Sequence, residues 1–359
     1  MKLNPRMFVV AVMLLVGAAA LPARSVAQPA AAALAIDEGM FVDVNGVPQW
    51  ITIRGRNLKN PVLLLLHGGP GLHMSYLAPV FADWETDFTI VQWDQPGGGA
   101  TLLKNKDLPS GPMTIERYTR DGIAVAEFVR THLKVEKTVL MGVSWGTVLG
   151  VEMVQRRPDL FSAYVGTAQA VGAKGSTLGY ELALKAARER GEAAAVTALE
   201  KVGPPPYRTL EELFVRQQYS NPPGQPSSPA EVAATAAMNK VMSVPPPPDA
   251  HYNGPLPVPA DFNFMTSFMT TQRAVFLETW SWEARHLGLT FKIPVFIFQG
   301  EHDFNTPTAT AREYFDEIKA PKKAFAIIPG SSHFTIPFHD ELLRLLKIHV
   351  LPLVAKGRS

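Results

Sequence analysis

The chain contains no cysteine. This absence excludes disulfide bonds, thiolate metal sites, a cysteine nucleophile and the lipid-bearing cysteine of a bacterial lipoprotein. Charged residues are also few, at 18%, against 47% hydrophobic residues. A chain of 359 residues with this composition can bury a large core in one enzyme-sized domain and still carry an insertion.

The apolar run near the amino terminus is too short to span a bilayer. It covers residues 7–21, about 15 residues, whereas a spanning helix needs ~20. Lys2 and Arg6 precede the run, and Ser25-Val26-Ala27 follows it with the small residues that signal peptidase accepts. These features predict a signal peptide over residues 1–27 and an exported protein, periplasmic or secreted. A retained membrane anchor is the alternative.

Neither sign of charge dominates the rest of the chain. Removal of residues 1–27 leaves 31 basic and 32 acidic residues. Such a balance favours neither nucleic acid nor an anionic membrane surface as a partner. We therefore expect a small molecule or short peptide as substrate, no nucleic acid, and no stable membrane insertion of the mature chain. The sequence carries no signal for an oligomeric state.

Short apolar strands alternate with amphipathic helices in both the first and the last part of the chain. The pattern begins with two strands joined by the hairpin turn signal Asn45-Gly46. Further strands are expected at 62–66, 88–93, 139–143, 293–298 and 324–328, and helices at 75–85, 115–133, 145–156, and from about 308 and 339. This alternation predicts an α/β fold with a mostly parallel sheet and helices on both faces.

The alternation stops between residues 169 and 288. Ala/Glu/Lys-rich helical segments replace it, separated by proline-rich breaks at 204–206, 222–229 and 245–248. We interpret residues 169–288 as a helical cap inserted into a core formed by residues 28–168 and 289–359. Disordered linkers are the alternative for the proline-rich breaks.

The segment Gly142-Val143-Ser144-Trp145-Gly146 matches the G-x-S-x-G pattern. It lies at the end of an apolar strand and at the start of a helix, which is the context that the α/β-hydrolase nucleophile elbow requires. Glycines permit the sharp turn, and Ser144 is expected in a strained backbone conformation that exposes its hydroxyl. The pattern predicts Ser144 as a nucleophile.

A serine hydroxyl requires a base, and the base requires an acid that fixes its tautomer. Asp303 follows the strand predicted at 293–298, and His333 follows the strand predicted at 324–328. Both would lie at the carboxyl edge of the sheet, in the chain order Ser, Asp, His that α/β-hydrolases use. We predict Asp303 as the acid and His333 as the base. Glu301 is the alternative acid.

The loop His67-Gly68-Gly69-Pro70-Gly71 directly follows the strand at 62–66. Residues without side chains allow backbone amides to approach a substrate oxygen. Together with the amide of Trp145, they would form an oxyanion hole. A plain tight turn is the alternative.

Several segments together resemble the proline iminopeptidase group of α/β-hydrolases: HGGPG at 67–71, WDQPGGGA at 93–100, GVSWG at 142–146, GEHDFNTP at 300–307 and GSSHF at 330–334. The resemblance implies the triad Ser144, Asp303 and His333, with the amides of Trp145 and of Gly68 or Gly69 as the oxyanion hole. The chain departs from the group at Pro96, where an arginine is usual. No cap segment aligns with the glutamates by which these enzymes hold the substrate's amino group.

Cap residues that would bind substrate are therefore chosen by their chemistry. Glu283 and Glu181 offer carboxylates for an amine, and Trp282 and Trp280 offer walls for an apolar pocket. Exposed helical glutamates and core aromatics are the plainer interpretation of all four. Glu283 and Trp282 are the preferred candidates.

The sequence predicts a serine hydrolase that cleaves an amide or ester through an acyl-enzyme, most like a proline iminopeptidase. A carboxylesterase acting on small uncharged esters is the alternative, and a non-catalytic binding protein is a further one. No metal or cofactor is expected: the glycines at 97–99 do not extend to G-x-G-x-x-G, and neither a P-loop nor an H-E-x-x-H pattern occurs.

Overall fold

A computed structural model describes residues 34–109, 111–220, 228–245, 250 and 263–354. The predicted signal peptide, residues 1–27, lies outside the described residues, as do 222–227 and 246–248 of the proline-rich breaks. Within the described ranges, no helix is both long enough and apolar enough to cross a bilayer.

Among the described residues, eight strands form a single sheet. They are β1 (Ile36–Val44), β2 (Val47–Gly55), β3 (Val62–Leu66), β4 (Thr89–Asp94), β5 (Thr138–Val143), β6 (Phe161–Thr167), β7 (Val295–Gly300) and β8 (Lys323–Ile328). Their spatial order is β1-β2-β4-β3-β5-β6-β7-β8. β2 is antiparallel to both β1 and β4, and the other neighbours are parallel. The predicted mostly parallel sheet is confirmed.

The antiparallel edge begins with a two-residue hairpin. Asn45 has a φ of 52° and Gly46 a φ of 84°, and Val44 pairs with Val47 across the turn. Two consecutive positive φ values match the twist of the flanking strands, and Asn-Gly adopts them at low cost.

Helices cover both faces of the sheet. In chain order they are α1 (Gly99–Asn105), α2 (Ile115–Leu133), α3 (Trp145–Arg156), α4 (Ala173–Glu189), α5 (Ala193–Val202), α6 (Leu210–Ser220), α7 (Pro229–Met242), α8 (Phe264–Ser281), α9 (Thr308–Glu317), α10 (His339–His349) and α11 (Leu351–Val354). Helices α4 to α8 all lie between β6 and β7. They fall within residues 169–288, called the inserted segment below.

The apolar strands supply two separate cores. Leu63 and Leu65 of β3 belong to one hydrophobic cluster, whereas Leu64 and Leu66 belong to the other. Because successive strand residues point to opposite faces, a continuous apolar run indicates a strand buried on both sides. Helices α2, α3 and α9 contribute to one cluster, and α10 contributes to the other.

One predicted helix has a different form. The stretch predicted as a helix at 75–85 consists of two 3-10 helices, Ser75–Phe81 and Trp84–Thr86. Pro79 lies inside the first. Proline has no amide hydrogen to donate and its ring clashes with the preceding turn, so a continuous α-helix is disfavoured here.

Candidate active site

Ser144 occupies a sharp turn between β5 and α3. Its φ of 52° and ψ of −115° lie outside the regions that non-glycine residues favour. A Cβ added at Gly142 would lie 2.3 Å from the Gly146 carbonyl oxygen, and one added at Gly146 would lie 2.2 Å from the Leu66 carbonyl oxygen. The turn therefore requires glycine at both flanking positions, which is the reason for the G-x-S-x-G spacing.

The three predicted triad residues are brought together. Ser144 Oγ lies 2.9 Å from His333 Nε2, and His333 Nδ1 lies 3.0 Å from each oxygen of Asp303. Because a carboxylate accepts the Nδ1 hydrogen, Nε2 is left with a lone pair facing the serine hydroxyl. This arrangement can remove a proton from Ser144 as its oxygen attacks a carbonyl carbon.

The Asp303 carboxylate is buried and held by several donors. Its residue is 2% exposed. Oδ1 accepts hydrogen bonds from the backbone amides of Asn305 and Thr306, each at 2.9 Å. Oδ2 accepts from the Thr306 hydroxyl at 2.7 Å and from Gln299 Nε2 at 3.0 Å. These contacts fix the direction in which the carboxylate presents its oxygens to His333.

Glu301, the alternative acid, is directed elsewhere. Its side chain is 49% exposed, and it accepts a hydrogen bond from the Gly330 amide at 2.8 Å. Among its hydrogen bonds and ion pairs in the described residues, none involves His333. The geometry therefore pairs His333 with Asp303.

The glycine loop after β3 lies beside the serine. A Cβ added at Gly68 would lie 4.0 Å from Ser144 Oγ. Gly69 has a φ of 116° and lines the same pocket as Ser144 and Trp145. Trp145 is the first residue of α3, so its amide has no acceptor within the helix. The role of these amides as an oxyanion hole stays a prediction.

His67 and Gln95 connect the glycine loop to the elbow, and no role was predicted for either. The backbone amide of Gln95 donates to His67 Nε2 at 3.1 Å. His67 Nδ1 therefore carries the hydrogen, which it donates to the Gly68 carbonyl at 2.8 Å. Burial lowers the pKa of His67 to about 3. Gln95 Oε1 also accepts the indole hydrogen of Trp145 at 3.1 Å. Both residues lie in segments that carry the family resemblance, His67 in 67–71 and Gln95 in 93–100.

The loop around Pro96 is closed by buried hydrogen bonds. The Tyr118 hydroxyl donates to the Pro96 carbonyl at 2.9 Å, and Asp94 Oδ2 accepts the Ala100 amide at 2.9 Å. The departure from the usual arginine thus leaves an ordered turn between β4 and α1.

A cavity of about 140 Å³ opens at the triad. The inserted segment supplies much of its wall. The residues of that segment that line the cavity are Ala170, Val171, Gly172, Ala173, Gly175, Ser176, Leu213, Arg216, Gln217, Gln272, Phe276, Thr279, Trp280 and Trp282. The other lining residues are Gly69, Pro70, Ser144, Trp145, Val148, Asn305, Thr306, Thr310 and His333.

The candidate substrate residues occupy different positions. Trp282 lines the cavity, and its indole donates to Glu152 at 3.0 Å. Glu283 is not a lining residue. Its carboxylate lies against Gly172 and accepts the Ala173 amide at 2.6 Å, at the amino terminus of α4. Glu181 is exposed on α4, away from the cavity wall.

In the described part of the chain, no group of three or more His, Asp or Glu side chains is placed to hold a metal ion.

Comparisons with known proteins agree with this fold. Residues 61–222 match a family model described as the alpha/beta hydrolase fold. A probable aminopeptidase of Bacillus subtilis is 26% identical over 295 residues, which is 81% of this chain and 89% of that protein. A probable proline iminopeptidase of Streptomyces coelicolor is 35% identical over 109 residues, which is 30% of this chain and 33% of that protein.

Solved structures show the same architecture. A proline iminopeptidase-related protein of Thermus thermophilus superposes with a TM-score of 0.60 at 20% identity, covering 89% of this chain and 99% of the other. The proline iminopeptidase of Mycobacterium smegmatis gives 0.56 at 23% identity, covering 90% and 100%. The chain is therefore an α/β-hydrolase by fold. Its predicted resemblance to proline iminopeptidases is confirmed.

Proposed function

We propose that this protein is a serine hydrolase that cleaves an amide or ester bond through an acyl-enzyme on Ser144. One observation carries the proposal: Ser144 Oγ, His333 and Asp303 form a continuous hydrogen-bonded chain beside an open cavity. A non-catalytic protein would have no need of a strained serine aligned with a histidine and a buried carboxylate.

The chemistry follows from the direction of these hydrogen bonds. Ser144 Oγ attacks the substrate carbonyl as His333 Nε2 takes its proton, and Asp303 stabilises the resulting imidazolium. The amides of Trp145 and of Gly68 or Gly69 would stabilise the oxyanion. His333 then returns the proton to the leaving amine or alcohol. Water repeats the sequence on the acyl-enzyme and releases the acid.

An aminopeptidase is the enzyme class that the relatives' names support. Such an enzyme must stabilise a buried ammonium group, which is costly without a carboxylate. None of the described cavity-lining residues is acidic. The carboxylate of Glu283 lies immediately behind two lining residues, Gly172 and Ala173, and is our candidate for that role.

An esterase acting on small uncharged esters needs no such carboxylate. The cavity of about 140 Å³ is close to the ~150 Å³ of an apolar cavity that holds benzene. A single small ring or short acyl chain would therefore fill it. This size limit suits a prolyl ring and a short-chain ester equally.

A substrate panel tests the proposal and separates the two classes. Prolyl arylamides and short-chain aryl esters should be compared on the parent enzyme and on Ser144→Ala. We expect at least one class to be hydrolysed and the variant to lose roughly 10³-fold or more in kcat. Failure of the parent to cleave any member of this panel or of the carboxylate-bearing substrates described below, or an unchanged rate in the variant, would contradict the proposal.

Glu283→Gln tests whether the Glu283 carboxylate binds the substrate's amino group. If Glu283 holds an amine, the KM for prolyl arylamides should rise while neutral aryl esters are barely affected. Glu181→Gln is the matched control, because Glu181 is exposed on α4 and does not line the cavity. An equal loss on both substrates in Glu283→Gln would indicate that the carboxylate only caps α4.

We also propose that residues 1–27 are removed on export. Amino-terminal sequencing of the mature protein should begin at Gln28 or within a few residues of it. Retention of Met1 in the mature protein would contradict this.

A further inference from the structure

A buried arginine forms part of the cavity wall. Arg216 lies on α6 between two other lining residues, Leu213 and Gln217, and is only 3% exposed. Burying a guanidinium is expensive unless the charge is paired and its donors are satisfied. The position of Arg216 therefore calls for a partner.

The protein itself supplies Arg216 with few partners. Nη1 donates to Asn305 Oδ1 at 2.8 Å, and makes longer contacts with the Phe304 carbonyl at 3.4 Å and with Ser220 Oγ at 3.3 Å. All three acceptors are neutral oxygens. In the part of the chain that the structure describes, Nε meets no acceptor with hydrogen-bond geometry. The Tyr207 hydroxyl, a further neutral oxygen, also interacts with the guanidinium.

Compensation of the charge is weak. Burial lowers the pKa of Arg216, while Tyr207 and, from longer range, Asp303 raise it. Asp303 is already engaged by His333 and by four other donors. Because a guanidinium is not deprotonated in proteins, Arg216 is a cation whose donors are only partly used, in the wall of a cavity whose described lining contains no acid.

We infer that the substrate carries a carboxylate, separate from the carbonyl that is attacked, and that Arg216 binds it. This inference rests on the proposed hydrolase function. A guanidinium presents its donors in a planar fork that matches the two oxygens of a carboxylate. Because one small cavity contains both Ser144 and Arg216, the carboxylate and the scissile bond belong to the same small molecule.

The carboxylate has two possible sources. It can lie on the acyl part, as in the half-ester of a dicarboxylic acid, or on the leaving group, as in a dipeptide with a free carboxyl terminus. Two matched pairs separate them. The aryl monoester of adipic acid is compared with its methyl aryl diester, and prolylglycine is compared with prolylglycinamide.

We expect the parent enzyme to favour the anionic member of one pair by at least about tenfold in kcat/KM, since a hydrogen bond to a charged group is worth that much. The pair that shows the preference identifies the source. Similar rates within both pairs, or a preference for the neutral member, would overturn the inference. This comparison requires no variant and so does not depend on how Arg216 substitutions fold.

Arg216→Gln then tests whether Arg216 is the group that binds the substrate's carboxylate. The glutamine side chain keeps a polar amide near the position of Arg216 Nε, but it has no charge and does not extend to the Nη1 position that donates to Asn305. We expect kcat/KM to fall at least about tenfold for the anionic substrate and to change little for its neutral partner. An equal fall on both substrates would indicate that Arg216 only ties α6 to the loop that carries Asp303, and would overturn the inference.

Arg208→Gln is the control. Arg208 is exposed just before α6, and its substitution removes the same charge outside the cavity. The anionic preference should survive in this variant. Its loss would show that a general field effect causes the preference, and would contradict binding at Arg216. Absence of hydrolysis of all four substrates, and of every substrate in the wider panel, would instead refute the proposed hydrolase function.

Discussion

Replacing Asp303 with asparagine exchanges one carboxylate oxygen for an NH₂ group while preserving the shape of the side chain. Oδ1 accepts two backbone amides, from Asn305 and Thr306, whose positions are fixed by the chain. The amide oxygen of the new side chain must therefore take the Oδ1 position. The NH₂ group then takes the Oδ2 position, opposite His333 Nδ1.

This orientation reverses the hydrogen bond to the histidine. His333 Nδ1 lies 3.0 Å from both positions, but the oxygen at the Oδ1 position already accepts two backbone amides. We therefore expect the NH₂ group to donate to Nδ1, so that the imidazole carries its hydrogen on Nε2 and cannot accept the proton of Ser144. The equivalent tautomer change in a Ser-His-Asp triad lowers kcat by roughly 10⁴-fold, and we expect about 10³- to 10⁴-fold here. Gln299 loses one acceptor but still donates to the Thr306 carbonyl, so the loss of stability should be only about 1 kcal/mol.

The assay compares Asp303→Asn with Glu301→Gln on whichever substrate the parent enzyme cleaves best, together with a urea titration of each variant. Glu301→Gln is the matched control because this exposed carboxylate bonds to the Gly330 amide. It should keep most of its activity. The assignment would be refuted if Asp303→Asn kept a tenth or more of the parent kcat, or if Glu301→Gln were the more damaging change.

Two further predictions concern the residues behind the glycine loop. Burial lowers the pKa of His67 to about 3, so the unfolded chain binds this proton more readily than the folded protein does. The free energy of unfolding is therefore at its full value above about pH 6.5 and falls as the pH drops towards 3. From pH 7 to pH 5, urea titrations should show the parent losing about 2 kcal/mol more than His67→Gln; equal losses would contradict this. Gln95→Ala removes the side-chain hydrogen bonds to the His67 carbonyl, at 3.3 Å, and to the Trp145 indole, but it keeps the backbone bond to His67 Nε2. We expect kcat to fall roughly tenfold with little change in KM, and an unchanged kcat would show that the Gln95 side chain does not position the amides.

The sequence predicted those parts of the site in which local geometry dictates the residue. Gly142 and Gly146 are required because a Cβ at either would collide with a backbone oxygen. The G-x-S-x-G motif therefore indicates a close backbone contact at each of its glycines. Asp303 and His333 follow parallel strands, and the carboxyl ends of such strands meet at one edge of the sheet. Chain order and strand position therefore located both residues, although they are 30 positions apart.

The cavity wall was not predictable in this way. Helices α4 to α8 carry no pattern that relates one to another, so the approach of Arg216 on α6 to Asn305 could not be inferred from spacing. Glu283 was chosen for its charge and aromatic neighbours, and the structure places its carboxylate at the amino terminus of α4. Such choices depend on how the inserted segment packs on the sheet.

Strand β6 and helix α1 were also missed. Residues 161–167 include Ser162, Gly166 and Thr167 among their apolar positions, so the run lacks the continuous hydrophobicity of β3 and β5. Helix α1 begins at Gly99, directly after a run of glycines, and glycine normally argues against a helix. In both cases, packing against the sheet outweighs the local preference.

Labelling with a fluorophosphonate tests the central claim most directly. The probe phosphonylates an activated serine, whose Oγ displaces fluoride from phosphorus, and leaves other serines unmodified, because activation requires the histidine base. Mass spectrometry of the digested protein should find a single adduct, on Ser144, and His333→Ala should abolish it. Absence of labelling in the folded parent protein, or an adduct on a different serine, would contradict the assignment of Ser144 as the nucleophile.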